Sequence, residues 1–278
     1  MATVNVTPDS FSDGGIHDQL PTALRYISSS VAAGAAIIDI GGYSTRPGAA
    51  FVSVDDEINR VVPVIRATRN KDELMALKYG IESEEALEQH IEAIMKIPIS
   101  IDTFRWEVAE AAIQAGANCI NDVSAFTGQD SWSPASLGTE TLHENTVNMK
   151  SIARMYGVPV VLMHSRGDAG SNKDYSSFSY AADEEGRGTV LEGVRVELGA
   201  KVNRVVRGKG GVRRWLVIVD PGIGFSKTLE GNLEVLRGAK SVVADVNIGH
   251  GSLFFRIHFQ KVLFNQFFPD QFHFTKIH

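Results

Sequence analysis

A chain of 278 residues with a net charge of -6, 44% hydrophobic residues and a single cysteine has the makings of one large domain with an ordinary buried core. The acidic balance excludes a general nucleic-acid surface, which needs a basic stripe, and no uninterrupted run of about 20 apolar residues offers a membrane span. Cys119 alone excludes an internal disulfide, and no basic-then-apolar leader opens the chain, so an unsecreted protein of a reducing compartment, cytoplasmic or mitochondrial, is expected.

Met1 to Val6 reads as a strand, its β-formers Val4 and Val6 stopped by Thr7-Pro8-Asp9. The stretch from Asn5 to Gly15 (NVTPDSFSDGG) is then polar and turn-rich, and Gly14-Gly15 can take positive φ without steric cost. Thr22 to Ala33 carries Leu24, Ile27 and Val31 at helical spacing, and Ala36 to Ile40 is a short apolar run of the buried parallel-strand kind. The loop GGYSTRPGA (Gly41 to Ala49) follows, then a helix over Val54 to Thr68. The rhythm returns with a strand at Pro98 to Asp102, a helix at Val108 to Ala115, and strands at Ala117 to Asp122, Val158 to His164 and Trp215 to Gly222. A weaker strand is expected at Ser241 to Gly249. Strands alternating with helices predict a parallel sheet, either an open doubly wound sheet or a (β/α)8 TIM barrel.

Polar residues choose between the two. Asn5, Asp39, Asp102, Asn121, His164, Asp220 and Asn247 sit at or near the C-terminal ends of predicted strands. A barrel gathers such ends at one mouth, whereas an open sheet gathers only those beside a switch point. No G-x-G-x-x-G follows the first strand, so the barrel is favoured. Two segments interrupt the rhythm as insertions: residues 69–96, charged and helical from Asn70, an inserted surface helix or hairpin, and Thr127 to Asn145, a long loop. The basic, glycine-rich Arg207 to Arg214 precedes a strand, which places it at the wrong end of a barrel for phosphate binding and makes it a surface turn.

The chemistry is narrowed by elimination. Cysteine–histidine clusters and a G-x-S-x-G elbow are both missing, which removes a zinc site and a serine hydrolase. Gly41 and Gly42 allow close backbone approach, Ser44 and Thr45 offer hydroxyls, and Arg46 offers a fork for phosphate oxygens. Asn5 supplies a hard oxygen suited to magnesium beside a phosphate. Asp102, Asn121 and Asp220 can floor a flat heterocycle, since a carboxylate accepts two parallel donors and an amide both donates and accepts. These residues suit a ligand with a polar bicycle at one end and a phosphate at the other.

With these residues in hand, the chain resembles the dihydropteroate synthase family of pterin-binding enzymes. The motifs that carry the resemblance are NVTPDSFSDGG, GAAIIDIGGYSTRPGA (Gly34 to Ala49), ISIDT (Ile99 to Thr103), INDVS (Ile120 to Ser124), VLMHSRG (Val161 to Gly167) and DPGIGFSK (Asp220 to Lys227), in the family's order. The resemblance implies a barrel that joins p-aminobenzoate to 6-hydroxymethyl-7,8-dihydropterin pyrophosphate, giving 7,8-dihydropteroate and pyrophosphate, the step that sulfonamides target. It implies catalytic duty for Asn5, Thr7, Asp9, Ser10, Phe11 and Arg46. Substrate binding would fall to Thr45, Arg46, Asp102, Asn121, Met163, Asp220, Phe225 and Lys227, with Asn5 also holding Mg2+. Family chemistry is dissociative, so closing Thr7 to Gly15 over the mouth would keep water from a pterin carbocation. The insertions look eukaryotic, where this unit often belongs to a multifunctional folate-pathway polypeptide; a homodimer also fits the resemblance.

The resemblance covers 1–249 and fails beyond. Where the family has Ser-Arg-Lys, this chain has His250-Gly251-Ser252 within IGHGSLFFR, and Arg256-Ile257-His258 only imitates the family's pyrophosphate-binding Arg-x-His. Eight of the fourteen phenylalanines lie between Phe254 and Phe274, with no clean period. The closing strand and last helices are therefore expected to be missing or replaced by an atypical tail over 250–278, from an alternative splice, a frameshift or a retained intron, or else by a divergent closing element. Two other functions stay open: a non-catalytic pterin-binding remnant or partner, and a pterin-dependent methyltransferase, against which the intact phosphate loops argue.

Overall fold

A computed structural model describes residues 1–7, 16–44, 50–77, 79–81, 83–128, 144–167, 169–176, 188–208 and 210–245, with backbone alone at 16–19 and 243–245. Six four-residue strands are β1 (Ala2–Asn5), β2 (Ile38–Gly41), β3 (Ile99–Asp102), β4 (Cys119–Asp122), β5 (Val160–Met163) and β6 (Val217–Asp220). All pair in parallel, in the order β1-β2-β3-β4-β5-β6. The helices between and after them are α1 (Ile16–Ala32), α2 (Val54–Thr68), α3 (Lys71–Met75), α4 (Glu84–Lys96), α5 (Trp106–Ala115), α6 (Glu144–Tyr156), α7 (Thr189–Val206) and α8 (Leu229–Asp245). Strand order never reverses, so crossovers of one hand place every connecting helix on one side of the sheet. A doubly wound sheet would switch direction; this is the layout of successive βα units in a barrel.

The period of two along each strand sorts the side chains. Val4, Ile38, Ile40, Ile99, Ile101, Ile120, Val160, Leu162, Val217 and Val219 face the helices and belong to the main core cluster. The alternate positions are polar on most strands: Thr3 and Asn5, Asp39 and Gly41, Ser100 and Asp102, Cys119 and Asn121, then Val161 and Met163, and Ile218 and Asp220. Helical residues at three-to-four spacing complete the core from outside, among them Val61, Val64 and Ile65 of α2 and Leu191, Val194 and Leu198 of α7.

Sequence and structure differ in three places. Ser241 to Asp245, expected to open a seventh strand, continue α8. Val235, Ala239 and Val242 are buried at helical spacing, so the period of 3.6 wins over the β-formers Val242 and Val243. The segment from Asn70 to Lys96 is not a surface decoration: Leu74 of α3 and Ile91 and Ile94 of α4 join the main core, and α4 packs on α1. Its charges read as a surface segment because they occupy the outer face. His164 does not share the face of Asp102 and Asp220, as the next subsection details. Asn247, the rest of the expected seventh strand and the phenylalanine-rich tail lie outside the described residues.

Candidate active site

The pairing register brings four residues into one row at the C-terminal ends of β1 to β4: Asn5 beside Gly41, Gly41 beside Asp102, Asp102 beside Asn121. Met163 and Asp220 form a matching pair at the ends of β5 and β6. Gly41 has a structural reason: a Cβ there would lie 3.4 Å from both Cβ and Oδ2 of Asp102, so its absence leaves the carboxylate its place. One step deeper on the same face lies Asp39, fully buried, whose carboxylate accepts from Asn121 Nδ2 at 3.3 Å on each oxygen.

Burial and mutual repulsion raise the acids of the basin above the ordinary carboxylate range. Burial pushes Asp39 up to about 6 against the pull of Ser100 and Asn121. Burial also raises Asp220 to about 6, opposed by the Gly222 amide and the Lys227 ammonium and reinforced by Asp39. Asp102 stands well above the ordinary carboxylate range, first from burial and then from the charges of Asp39, Asp122 and Glu57. Desolvated carboxylates of this kind gain from a ligand that brings N–H donors or positive charge.

The loop after β2 is anchored at its base. A Cβ on Gly42 would meet Val61 Cγ1 at 2.8 Å, and the Gly42 carbonyl accepts from Arg60 Nη1 at 2.9 Å. Tyr43 stacks edge-on against Phe104 with centroids 5.4 Å apart, and the Arg105 guanidinium lies 4.9 Å from the Tyr43 ring centre. Glu57 fixes that arginine: it is wholly buried and accepts from Arg105 Nη1 at 2.9 Å and from Thr103 Oγ1 at 2.7 Å. Thr45 and Arg46 lie outside the described residues, as do Asp9, Ser10 and Phe11, while Thr7 follows β1.

The loop after β6 is fixed from beneath. Asp220 Oδ1 accepts from the Gly222 amide at 2.7 Å, and Phe225, buried, donates its amide to the Gly222 carbonyl. Lys227 Nζ donates to the carbonyls of Gly222 (2.8 Å) and Phe225 (3.0 Å) and to His164 Nδ1 (3.0 Å), which occupies its three N–H groups with protein atoms. Burial lowers Lys227 to about 7 and His164 to about 3. His164 follows Met163 and therefore faces the helices, where its Nε2 meets Glu197 of α7 at 2.9 Å. Glu197 also takes Arg166 Nε and Nη2, and the Arg166 guanidinium lies 3.4 Å from the ring centre of Tyr175. The histidine and arginine of VLMHSRG thus brace the wall behind the mouth.

Sequence reasoning placed Asp102, Asn121, Met163, Asp220 and Phe225 around one end of the sheet, and the structure gathers them there. That reasoning counted Asp39 among the polar strand ends at the mouth but gave it no ligand role, and it gave Glu57, Arg105 and Glu197 no part in the site. Asp39 carries a legible cue, an acid inside the apolar run AAIIDIG; Glu197 carries none, since α7 mixes charged and apolar residues on every side. Among the described residues no three His, Cys, Asp or Glu side chains cluster closely enough to hold a metal by themselves. Likewise no described helix is long and apolar enough to cross a membrane.

A one-sided parallel βα sheet whose inner face ends in partly desolvated acids and an amide defines a barrel protein with its site at the strand C-termini. The profile of the family described as pterin binding enzyme matches residues 1–77 and 80–247, and the chain belongs to that family. It is 36% identical, over 85% of its length, to the dihydropteroate synthase of Synechocystis, and it spans 64% of that relative's length. It is also 36% identical to the mitochondrial bifunctional folate synthesis protein of Arabidopsis thaliana, covering 85% of this chain and 34% of the relative. In three dimensions it is similar to the dihydropteroate synthase of Clostridium difficile crystallised in the presence of pteroic acid, with a TM-score of 0.61 and 31% identity over 88% of this chain and 71% of that one. The (β/α)8 barrel of those enzymes is the fold to which the six described strands belong.

Proposed function

We propose that the chain condenses 6-hydroxymethyl-7,8-dihydropterin pyrophosphate with p-aminobenzoate to give 7,8-dihydropteroate and pyrophosphate. The observation that carries this reading is the row of Asp102 and Asn121, with Asp220 at the same end of the sheet on β6, on the inner face of a sheet belonging to a pterin-binding family. In the reaction the C–O bond between the pterin methylene and the diphosphate breaks, the arylamine nitrogen forms the new C–N bond, and the amine gives up a proton. The carboxylates of Asp102 and Asp220 accept N–H donors of the aminopyrimidinone, which replace the hydration that burial has removed. Their negative field, with that of Asp39, favours the positive charge that develops on the pterin as the diphosphate leaves. Met163 and Phe225, both buried, supply the apolar walls for a flat ring.

Asn5 ends β1 beside Gly41, partly exposed at the open end of the row, and its amide oxygen suits one position of a Mg2+ ion that fills its remaining positions with phosphate oxygens and water. That donor set fits magnesium shared with a substrate better than a cage of protein ligands. When bound, the ion supplies counter-charge to the leaving diphosphate. Thr7, Asp9, Ser10 and Phe11 are read as the lid that excludes water, and Thr45 and Arg46 as the contacts to diphosphate and p-aminobenzoate. The bifunctional mitochondrial relative supports a place for this unit beside a second folate-pathway domain, in cytoplasm or mitochondrion. Incubating the purified chain with both substrates and magnesium should give a product of the mass of dihydropteroate, and a chelator should stop it. A soluble, folded chain that yields no such product would contradict the reading.

A further inference from the structure

The geometry points to Asp39 as the positioning residue that turns the Asn121 amide and so decides that this part of the site takes an N–H donor. The inference rests on the pterin-binding reading above. An asparagine is ambivalent: its Nδ2 donates, its Oδ1 accepts, and a half-turn about one bond exchanges them. An ionised carboxylate is not ambivalent, because it only accepts. Asp39 is fully buried two residues below the row on the same face of β2, and both its oxygens lie 3.3 Å from Asn121 Nδ2. The amide must therefore give its NH2 to Asp39 and present Oδ1 to the space beside Asp102, with which Asn121 is paired in register. No hydrogen bond from a described residue reaches that Oδ1, and it is not a sealed, unsatisfied atom. A ligand supplies the missing donor.

The placement of Asp39 accounts for an otherwise unfavourable choice. An acid in the middle of β2, flanked by Ile38 and Ile40 and sealed from water, brings a desolvated charge into the domain. Its side-chain hydrogen bond across to β4 goes to Asn121, a residue of the ligand floor. A pterin edge offering a ring N–H is accepted; an edge offering a bare ring nitrogen meets Oδ1 lone pair to lone pair and is rejected, which is discrimination by an unpaired polar group.

The test is a double-mutant cycle on binding of 6-hydroxymethyl-7,8-dihydropterin by calorimetry, with wild type, Asp39→Asn, Asn121→Ala and the double variant, each checked by thermal melting. Asp39→Asn should weaken binding about ten- to a hundredfold, and should add less than twofold in the Asn121→Ala background. In turnover the loss should fall on KM for the pterin substrate and leave KM for p-aminobenzoate within twofold. Additive losses in the cycle, or wild-type affinity in Asp39→Asn, would overturn the inference while leaving the pterin-binding reading intact. A folded wild type that binds no pterin would overturn both. Should Asp39→Asn not fold, the side-chain NH2 resonances of Asn121 in the wild type decide: they should be protected from exchange and keep their carboxylate-bonded shift when the pterin binds. Loss of that protection in the complex would overturn the inference.

Discussion

Lys227 and His164, both buried, are joined by a hydrogen bond from Nζ to Nδ1 at 3.0 Å. The contact on the other ring nitrogen settles the state of the imidazole. The Glu197 carboxylate, paired with Arg166, only accepts, so Nε2 carries the ring proton, and Nδ1 of the neutral ring accepts from Lys227. Burial lowers the basicity of His164 to about 3, and the nearby Lys227 charge adds to that, so the ring stays neutral at physiological pH. Through this pair the end of β5 is tied to the loop after β6 that carries Phe225. Lys227→Met keeps the length and removes the donors, leaving His164 Nδ1 and the Phe225 carbonyl unpaired while the Gly222 carbonyl keeps the Phe225 amide. We expect a loss of about 3 kcal/mol in chemical denaturation, with weaker pterin binding because the loop loosens.

Asp39→Asn should have opposite effects on stability and on binding. The folded carboxyl is raised from 3.8 to about 6, so between those values the native state binds more protons than the unfolded chain. The contribution of Asp39 to stability is therefore fully present below pH 3.8 and lost as pH rises through about 6. The neutral variant avoids that loss. It should be more stable than wild type by on the order of 3 kcal/mol at pH 8, and the difference should shrink toward pH 4. Denaturant melts at several pH values measure this, and a variant that is less stable at pH 8 would refute it.

Gly222 has φ +69°, and a Cβ there would lie 2.0 Å from the His164 carbonyl oxygen. Backbone cannot step aside as a flexible side chain can. Gly222→Ala should cost about 3 kcal/mol or more, read as a fall in the denaturation midpoint or loss of soluble protein. Gly34→Ala, which also has positive φ but nothing within 4 Å, should cost about 1 kcal/mol and serves as the control.

Arg105→Ala should unsettle the base of the loop after β2. Glu57 is fully buried, and its carboxyl, raised by burial, depends on Thr103 and Arg105 to offset that cost. Removing one partner of such a pair costs about 3 to 5 kcal/mol. The Tyr43–Phe104 contact would also lose the guanidinium that packs on both rings. We expect a lower denaturation midpoint and a higher KM for p-aminobenzoate; Arg105→Lys, which keeps the charge, should recover part of the stability.

The strands and their polar ends were legible because each signal is local. A short apolar run bounded by turn residues fixes a buried strand, and Asp102, Asn121 and Asp220 sit where β3, β4 and β6 end. What the sequence hides is the face. His164 and Asp220 both read as polar residues at strand ends, yet His164 lies behind the sheet against Glu197 and Asp220 in front of it, a difference of one residue in a period of two. Glu57 and Glu197 were invisible because their partners are 48 and 31 residues away. Ser241 to Asp245 misled because Val242 and Val243 favour strands, while burial of Val235, Ala239 and Val242 along one helix side decides the structure.

The deciding measurement is pyrophosphate release by the purified chain, given magnesium and 6-hydroxymethyl-7,8-dihydropterin pyrophosphate with and without p-aminobenzoate. The account predicts release that depends on p-aminobenzoate and falls at least tenfold in Asp220→Asn, whose weakened grip on the pterin removes a charged hydrogen bond. Release that ignores p-aminobenzoate, or that is unchanged in Asp220→Asn, would contradict it.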